Sequence, residues 1–427
     1  MNYTQNKKIE QVTESTLVIG TDIGSEFNYV RAFDWRGIEL TKKVFSFSNT
    51  KQGYINFLDW VHQVLSRTNK KEIIVGCEPT GHYWFTFAKY VKEQGMKLVF
   101  VNPFHVHQSK EMDDNSPKKT DMKDPKTIAK LVVEGRYSLP YVPEGVYADL
   151  RTAVSSRDRI LKEINAATNR IKRWLKIYFP EYLEVYKVFD SISGILVLER
   201  APMPRDVISL GTEGINKIWR EAKVRRVGMK RAQTLVVAAH NSVGINGGSC
   251  AKLELQLLLE DYQSKKNQLE KITQVIEEET LQIDYVEQLL SIKGVGLITV
   301  AGFLAEVGDI RRFNSPKQVQ KLAGLELKEN SSGKHKGQTT ISKRGRKKLR
   351  RLLFQVVLPM IRSNREFREI YDYYTTRIKN PLKGRQAMVA VSCKLIRVFY
   401  AVLTKGIHYD AEKLRNDIIR PQELKVA

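Results

Sequence analysis

The sequence predicts an α/β domain at the N-terminus followed by a mainly helical remainder, and three observations predict it. Short apolar runs ending in turn residues alternate with helix-periodic stretches through the first 145 positions. Two long runs with apolar residues three and four apart occupy the middle. Apolar helices joined by glycine- and lysine-rich turns fill the last third.

The first buried strand starts at Leu17-Val18-Ile19 and ends at Asp22, inside Thr-Asp-Ile-Gly, and residues 28–33 form its return strand. Residues 51–67 follow as a helix with Ile55, Leu58, Val61 and Leu65 on one stripe. A second strand, 72–77 (EIIVGC), stops at Glu78, where Pro79 and Gly81 break it before a helix over 83–94. A third strand spans 97–101. Pro125 then suits the first position of a helix running through Leu131, Val132 and Val133, with Asp124 as its cap.

Four acids stand out on this pattern. Asp22 and Glu78 fall at the C-terminal ends of strands, where open α/β sheets place their sites. Asp121 and Asp124 lie three residues apart at a helix start. No Cys or His cluster competes, and hard oxygen donors suit Mg²⁺ or Mn²⁺. Two such ions can clamp the attacking and leaving oxygens of a phosphoryl transfer. His82, His105 and His107 are read as packing residues.

The middle holds a run from 146 to 178, with a seam at Leu150, Val154, Arg157, Leu161, Ile164, Thr168, Ile171 and Leu175. A second run, from Tyr262 to Leu290, has the same spacing, and together they predict an antiparallel coiled coil. Cations on the first helix, with Trp174, Tyr178 and Phe179 near its end, suit either solvent or nucleic acid. Residues from about 180 to 250 read as a helical insertion without assigned chemistry. Beyond them, Lys293-Gly294-Val295-Gly296 between apolar stretches predicts a helix-hairpin-helix whose amides can approach a phosphate.

Ser331-Ser332-Gly333 predicts a turn, and residues 333–352 after it carry nine Lys/Arg and no acid. A serine hydroxyl beside concentrated positive charge suits chemistry on a phosphodiester. Lys343, Arg344, Arg346, Arg350 and Arg351 are the expected backbone contacts. The 427 residues divide into 1–145, 146–290, 291–410 and a polar tail at 411–427. The chain is 28% charged and 42% hydrophobic, a globular balance, with a formal net charge of +24 that favours nucleic acid over a membrane surface as partner. No apolar run approaches the roughly 20 residues of a spanning helix, so no membrane partner is expected. Cys77, Cys250 and Cys393 stand apart, excluding a zinc site and a disulfide framework, and the cytoplasm is the expected compartment.

In order along the chain, Asp22 in Thr-Asp-Ile-Gly, Glu78 in Glu-Pro-Thr-Gly-His-Tyr, Asp121/Asp124 in Lys-Thr-Asp-Met-Lys-Asp, the Lys-Gly-Val-Gly turn, Ser331-Ser332-Gly333 and Ile341-Ser342-Lys343-Arg344-Gly345 carry a resemblance. The chain resembles the DEDD-type insertion-sequence transposases of the insertion-sequence one-ten family, the bridge-RNA-guided serine recombinases. The resemblance implies a ribonuclease-H-like (Holliday-junction-resolvase-like) N-terminal domain, a coiled-coil middle and a C-terminal transposase domain. It implies that the four acids bind Mg²⁺ and that a serine attacks the scissile phosphate. The nucleophile is the serine immediately before glycine, Ser332, with Ser331 as the fallback. Further implied partners are donor and target DNA, a structured non-coding guide RNA, and a homodimer or homotetramer in the bacterial cytoplasm at the nucleoid. Lys334, Arg346 and Pro125 depart from residues common at those family positions. The alternatives are a junction-resolvase-like endonuclease using activated water, in which Ser332 is a bystander, and a non-catalytic nucleic-acid scaffold.

Overall fold

The computed structural model describes residues 5–79, 81–113, 124–328, 331–332, 335–336 and 339–416. Two units partition the chain, Met1–Val142 and Pro143–Ala427. In the first, a short helix α1 (Gln5–Ile9) precedes strands β1 (Thr16–Ile23), β2 (Phe27–Phe33) and β3 (Phe45–Ser48). Helix α2 (Lys51–Thr68), β4 (Glu72–Cys77), α3 (Trp84–Glu93) and β5 (Lys97–Val101) follow. Then come α4 (Pro103–Asp113), α5 (Asp124–Val133) and β6 (Tyr137–Ser138). The sheet order is β3-β2-β1-β4-β5-β6. Strands β1, β4 and β5 run parallel, and β2, β3 and β6 pair antiparallel to their neighbours.

Alternation along the strands builds two cores. Leu17, Ile19, Val75 and Cys77 face α2 and α3, meeting Phe57, Val61, Phe87 and Val91. Val18, Ile74 and Val99 face the other way, onto Ile128, Ala129 and Val132 of α5. The sheet is thus a middle layer covered on both faces, which explains why β1, β4 and β5 are nearly continuous apolar runs. The polar-apolar strand β3 and helix α4 have no counterpart in the sequence-based expectation.

The second unit is helical apart from short hairpins. Helices α6 (Val146–Tyr178) and α11 (Ser249–Leu281), each of 33 residues, lie side by side and antiparallel. Leu150 and Ala153 pack near Ile276 and Ile283 at one end, and Trp174 donates to the Ala251 carbonyl at the other (2.9 Å). Each helix is about 50 Å long at 1.5 Å per residue. The buried stripe of α6 is Leu150, Ala153, Ile160, Ala167, Ile171, Trp174 and Leu175. It keeps the predicted Leu150, Ile171 and Leu175 and moves by one residue from the predicted Val154, Leu161 and Thr168, which are half-buried. Small Ala153 and Ala167 occupy the seam because the helices approach closely there. The second helix begins at Ser249, well before the expected Tyr262, because Leu255 and Leu259 bury against the insertion.

Between these helices α7 (Tyr182–Val185), α8 (Ile192–Arg200), α9 (Pro204–Glu221) and α10 (Met229–His240) form a lobe with its own core. Trp174 and Phe179, candidates for gripping nucleic acid, are buried in that core and unavailable to a ligand. After α11 come α12 (Val286–Leu290), α13 (Leu297–Val307), α14 (Pro316–Leu322), and the strands β7 (Leu327–Lys328), β8 (Ser331–Ser332), β9 (His335–Lys336) and β10 (Thr340–Ile341). The chain ends in α15 (Lys347–Ser363), α16 (Arg365–Thr376), α17 (Gly384–Lys405) and α18 (Ala411–Asn416). Contrary to the sequence expectation, one helix among the described residues, α17, is long and apolar enough by composition to cross a membrane. Its Val391, Leu395, Ile396 and Phe399 are buried against α13 and α15, so its apolar length serves a protein core.

Candidate active site

Two of the four predicted acids meet through sheet register. In the parallel pairing of β1 with β4, Thr21 lies opposite Cys77, so the next residues, Asp22 and Glu78, sit side by side where the two strands end. Period-two alternation continues Val18 and Gly20 into Asp22, and Ile74 and Gly76 into Glu78, placing both acids on the face covered by α5. Cys77 points the other way, into the α2/α3 core. Burial pushes its thiol up, and the neighbouring Glu78 charge adds to the effect. No soft ligand therefore shares the acid face at this strand end.

The third acid arrives by close packing. Gly20 leaves room for the backbone of α5: a Cβ there would stand 1.8 Å from the Pro125 carbonyl oxygen and 2.9 Å from the Ala129 nitrogen. Asp124, which opens α5, is thereby held near the end of β1 that carries Asp22. A glycine inside an apolar strand was the available sequence signal for this contact, and Gly76 repeats it against Val132. Asp22, Glu78 and Asp124 are all half-buried. Asp121 lies outside the described residues. Among the described residues no group of three or more His, Cys, Asp or Glu side chains is close enough to hold an ion. The donor set on this face is carboxylate throughout, the chemistry that suits a hard divalent cation.

Gly20→Ala is expected to lower the stability of the first unit by roughly 1–3 kcal/mol, because the added methyl meets backbone that cannot swing away. Thermal unfolding checks it against Gly248→Ala, where nothing lies within 4 Å of the new Cβ and little change is expected. Equal midpoints for the two variants would contradict the close approach.

In the second unit, Ser331 and Ser332 lie in a strand, not in the turn that the sequence predicts. Ser331 pairs with Lys336 and Ser332 with His335. Towards the base of the same excursion, Leu327 pairs with Ile341 and Lys328 with Thr340. The root is fixed by the Ser342 amide donating to the Glu326 carbonyl (2.7 Å), Lys343 to Gly324 (3.1 Å) and Arg346 to Leu322 (2.7 Å). Gly324 and Gly345 have positive φ and pass within van der Waals contact, leaving no space for a side chain on Gly345.

The predicted cations divide into two groups. Lys343 and Arg344 are exposed. Arg350 donates to the carbonyls of Ala323 (2.9 Å) and Lys343 (3.3 Å), while Arg346 pairs with Glu306 (3.4 Å) and Arg351 with Asp158 of α6 (3.1 Å). These three help to hold the hairpin root and α15 in place. The Lys293–Gly296 turn joins α12 to α13, with Gly294 at φ 94° against Met360. Asn364 donates to the Lys293 carbonyl (3.0 Å), and open space surrounds the Cβ direction of Gly296.

Residues 19–180 match a transposase family model of the DEDD, IS110 type, and residues 286–372 match the "Transposase IS116/IS110/IS902 family". The chain is 23% identical to the transposase for insertion sequence element IS1111A of Coxiella burnetii, over 94% of each chain. It is 24% identical to the 42 kDa protein of insertion element IS900 of Mycobacterium paratuberculosis, over 72% of this chain and 77% of the relative. A pilin gene-inverting protein of Moraxella lacunata is 23% identical over 88% of this chain and 97% of its own.

Proposed function

We propose that the chain is a DEDD transposase of the IS110 family and that it cuts and rejoins insertion-sequence DNA through the Ser332 hydroxyl, served by metal-binding carboxylates. The observation that carries the proposal is the pairing of Asp22 and Glu78 at the ends of neighbouring parallel strands, on the face where Asp124 opens α5. The sheet, antiparallel from β3 to β1 and parallel on to β5, supports a ribonuclease-H-like reading of the first unit.

Asp22, Glu78, Asp121 and Asp124 would hold Mg²⁺ or Mn²⁺, which when bound supplies charge stabilisation at the phosphate oxygens. The Ser332 hydroxyl gives up its proton to water, and its Oγ bonds to phosphorus. The bond from phosphorus to the leaving sugar oxygen breaks, and that oxygen takes up a proton. The resulting phosphoserine diester retains the energy needed for rejoining. In the reverse step a sugar hydroxyl of the incoming strand attacks phosphorus, and the serine oxygen leaves protonated. The name of the Moraxella relative supports rejoining, since inverting a gene leaves no open ends. Lys343 and Arg344 hold phosphate backbone beside the serine, and the Lys293–Gly296 turn offers a further contact through the amides that open α13. We extend the proposal to a structured guide RNA and to at least two protomers acting together.

Denaturing the protein after incubation with element-end DNA and Mg²⁺ should yield a covalent adduct, whose digestion places the nucleotide on the peptide containing Ser332. Cut DNA with free ends and no adduct would instead establish hydrolysis by water. Sequencing RNA that copurifies with the protein tests guidance: a discrete RNA encoded beside the gene supports it, and its absence counts against it.

A further inference from the structure

We propose that the turn between α9 and α10, in the lobe inserted between the two long helices, is a second nucleic-acid site that grips phosphodiester backbone. Residues 217–231 (KIWREAKVRRVGMKR) hold seven Lys/Arg against one acid, Glu221. That acid is committed to Arg200 at 3.1 Å. Two of the cations have structural work: Arg220 bonds Asn216 and the Val227 carbonyl, and Arg231 bonds the Val185 carbonyl (2.9 Å) and lies over the Tyr186 ring.

Five cations remain: Lys217 stands on α9, and Lys223, Arg225, Arg226 and Lys230 lie at the turn and the start of α10. All are exposed, and among the described residues none has a carboxylate within ion-pair distance. Charge concentrated in this way costs stability through mutual repulsion unless a polyanion neutralises it. The backbone adds a second observation. Lys223 and Arg226 adopt φ of 54° and 64°, a conformation that glycine or asparagine adopts at lower cost. Two long cations kept at strained positions indicate that their side chains are needed there. Helix α10 then opens without an acid in its first turn and without a side-chain cap, so its free amides reinforce the positive field. Beneath the turn, Trp219 donates to the Ser193 carbonyl (2.9 Å), and Ala232 and Leu235 are fully buried. The cations are thus mounted on a rigid base.

The shared chemistry, a line of phosphodiesters, is supplied by duplex DNA and by folded RNA, and the test separates them. It rests on the chain acting on nucleic acid but not on Ser332 or a metal, so binding is measured with EDTA present and no cleavage is read. The full chain and the quadruple variant Lys223→Gln, Arg225→Gln, Arg226→Gln, Lys230→Gln are titrated with a duplex DNA and with an RNA hairpin across a salt series. At about 0.9 in log–log slope for each phosphate contact on duplex, the variant should show a slope shallower by about 2–4 and, near 0.1 M salt, binding weaker on the order of tenfold. Loss on duplex alone assigns the site to DNA, loss on the hairpin alone to RNA, and loss on both to backbone in general. Unchanged slopes on both probes overturn the proposal. So does an equal loss when Lys42, Lys43, Lys51 and Lys71 are neutralised instead, because the effect would then be net charge alone. A charge-conserving variant, Lys223→Arg with Arg225→Lys, should bind as the parent does, and matching unfolding midpoints exclude a folding defect.

Discussion

Ser332→Ala is expected to abolish the covalent protein–DNA adduct and to reduce strand exchange on the order of 10⁴-fold or more, as removal of a nucleophile does when no neighbour can replace it. Ser331 is the neighbour that could, one residue away in the same strand. On the proposed assignment Ser331 takes no part in the chemistry. Ser331→Ala should therefore retain the adduct, and the pair of variants decides the assignment. DNA binding should remain within about twofold in both, since neither change touches a cation. Adduct formed in normal yield by Ser332→Ala sinks the serine assignment. Cleavage that survives in Ser332→Ala but disappears in Asp22→Asn would select hydrolysis by activated water.

Asp22→Asn should cost on the order of 10³-fold in cleavage rate, corresponding to about 4 kcal/mol of lost charge stabilisation. The substitution preserves size at a half-buried position next to β2, where Asp22 pairs with Tyr29, so the sheet should persist. Two readouts separate a ligand from a packing residue. Mg²⁺ should raise the unfolding midpoint of the parent and not that of the variant, because an ion that binds only the folded chain stabilises it. The metal concentration required for half-maximal cleavage should also rise. Glu78→Gln and Asp124→Asn should behave alike, and Asp121→Asn tests whether the fourth acid belongs to the same set. Unaltered metal dependence in Asp22→Asn and Glu78→Gln would remove these residues from the metal site.

Much of the first unit is legible in the sequence because its central strands are buried on both faces. EIIVGC and KLVFV become β4 and β5 at the expected bounds. The short strand Phe45–Ser48 and helix Pro103–Asp113 escaped notice. The first is four residues at the sheet edge, and the second lacks a clear apolar stripe. In the long helix α6 the seam residues Leu150, Ile171 and Leu175 are legible, but apolarity points to Val154 and Thr168 where Ala153 and Ala167 are buried, since a buried alanine resembles a surface one in one dimension. Trp174 and Phe179 looked available for a ligand because nothing in the local sequence reveals the lobe that covers them. For the acids, strand ends predicted Asp22 and Glu78, but their adjacency comes from β1–β4 register, a long-range property. The division of the basic run between exposed Lys343 and Arg344 and the structurally engaged Arg346, Arg350 and Arg351 is likewise tertiary.

The lobe between α6 and α11 leaves and returns at nearly one point. The Ile245 amide donates to the Ile177 carbonyl (2.9 Å), and Gly244 passes so near Tyr178 that a Cβ there would stand 2.1 Å from its carbonyl oxygen. The excursion from 180 to 248 is therefore a closed loop hung on the tip of a helical hairpin. Loop-closure entropy changes slowly with loop length, so such a tip tolerates growth, shrinkage or exchange of its contents at little cost to the helices beneath. Evolution is free there to fit a new grip without redesigning the cutting machinery, and an engineer could graft a different nucleic-acid-binding module at the same two junctions.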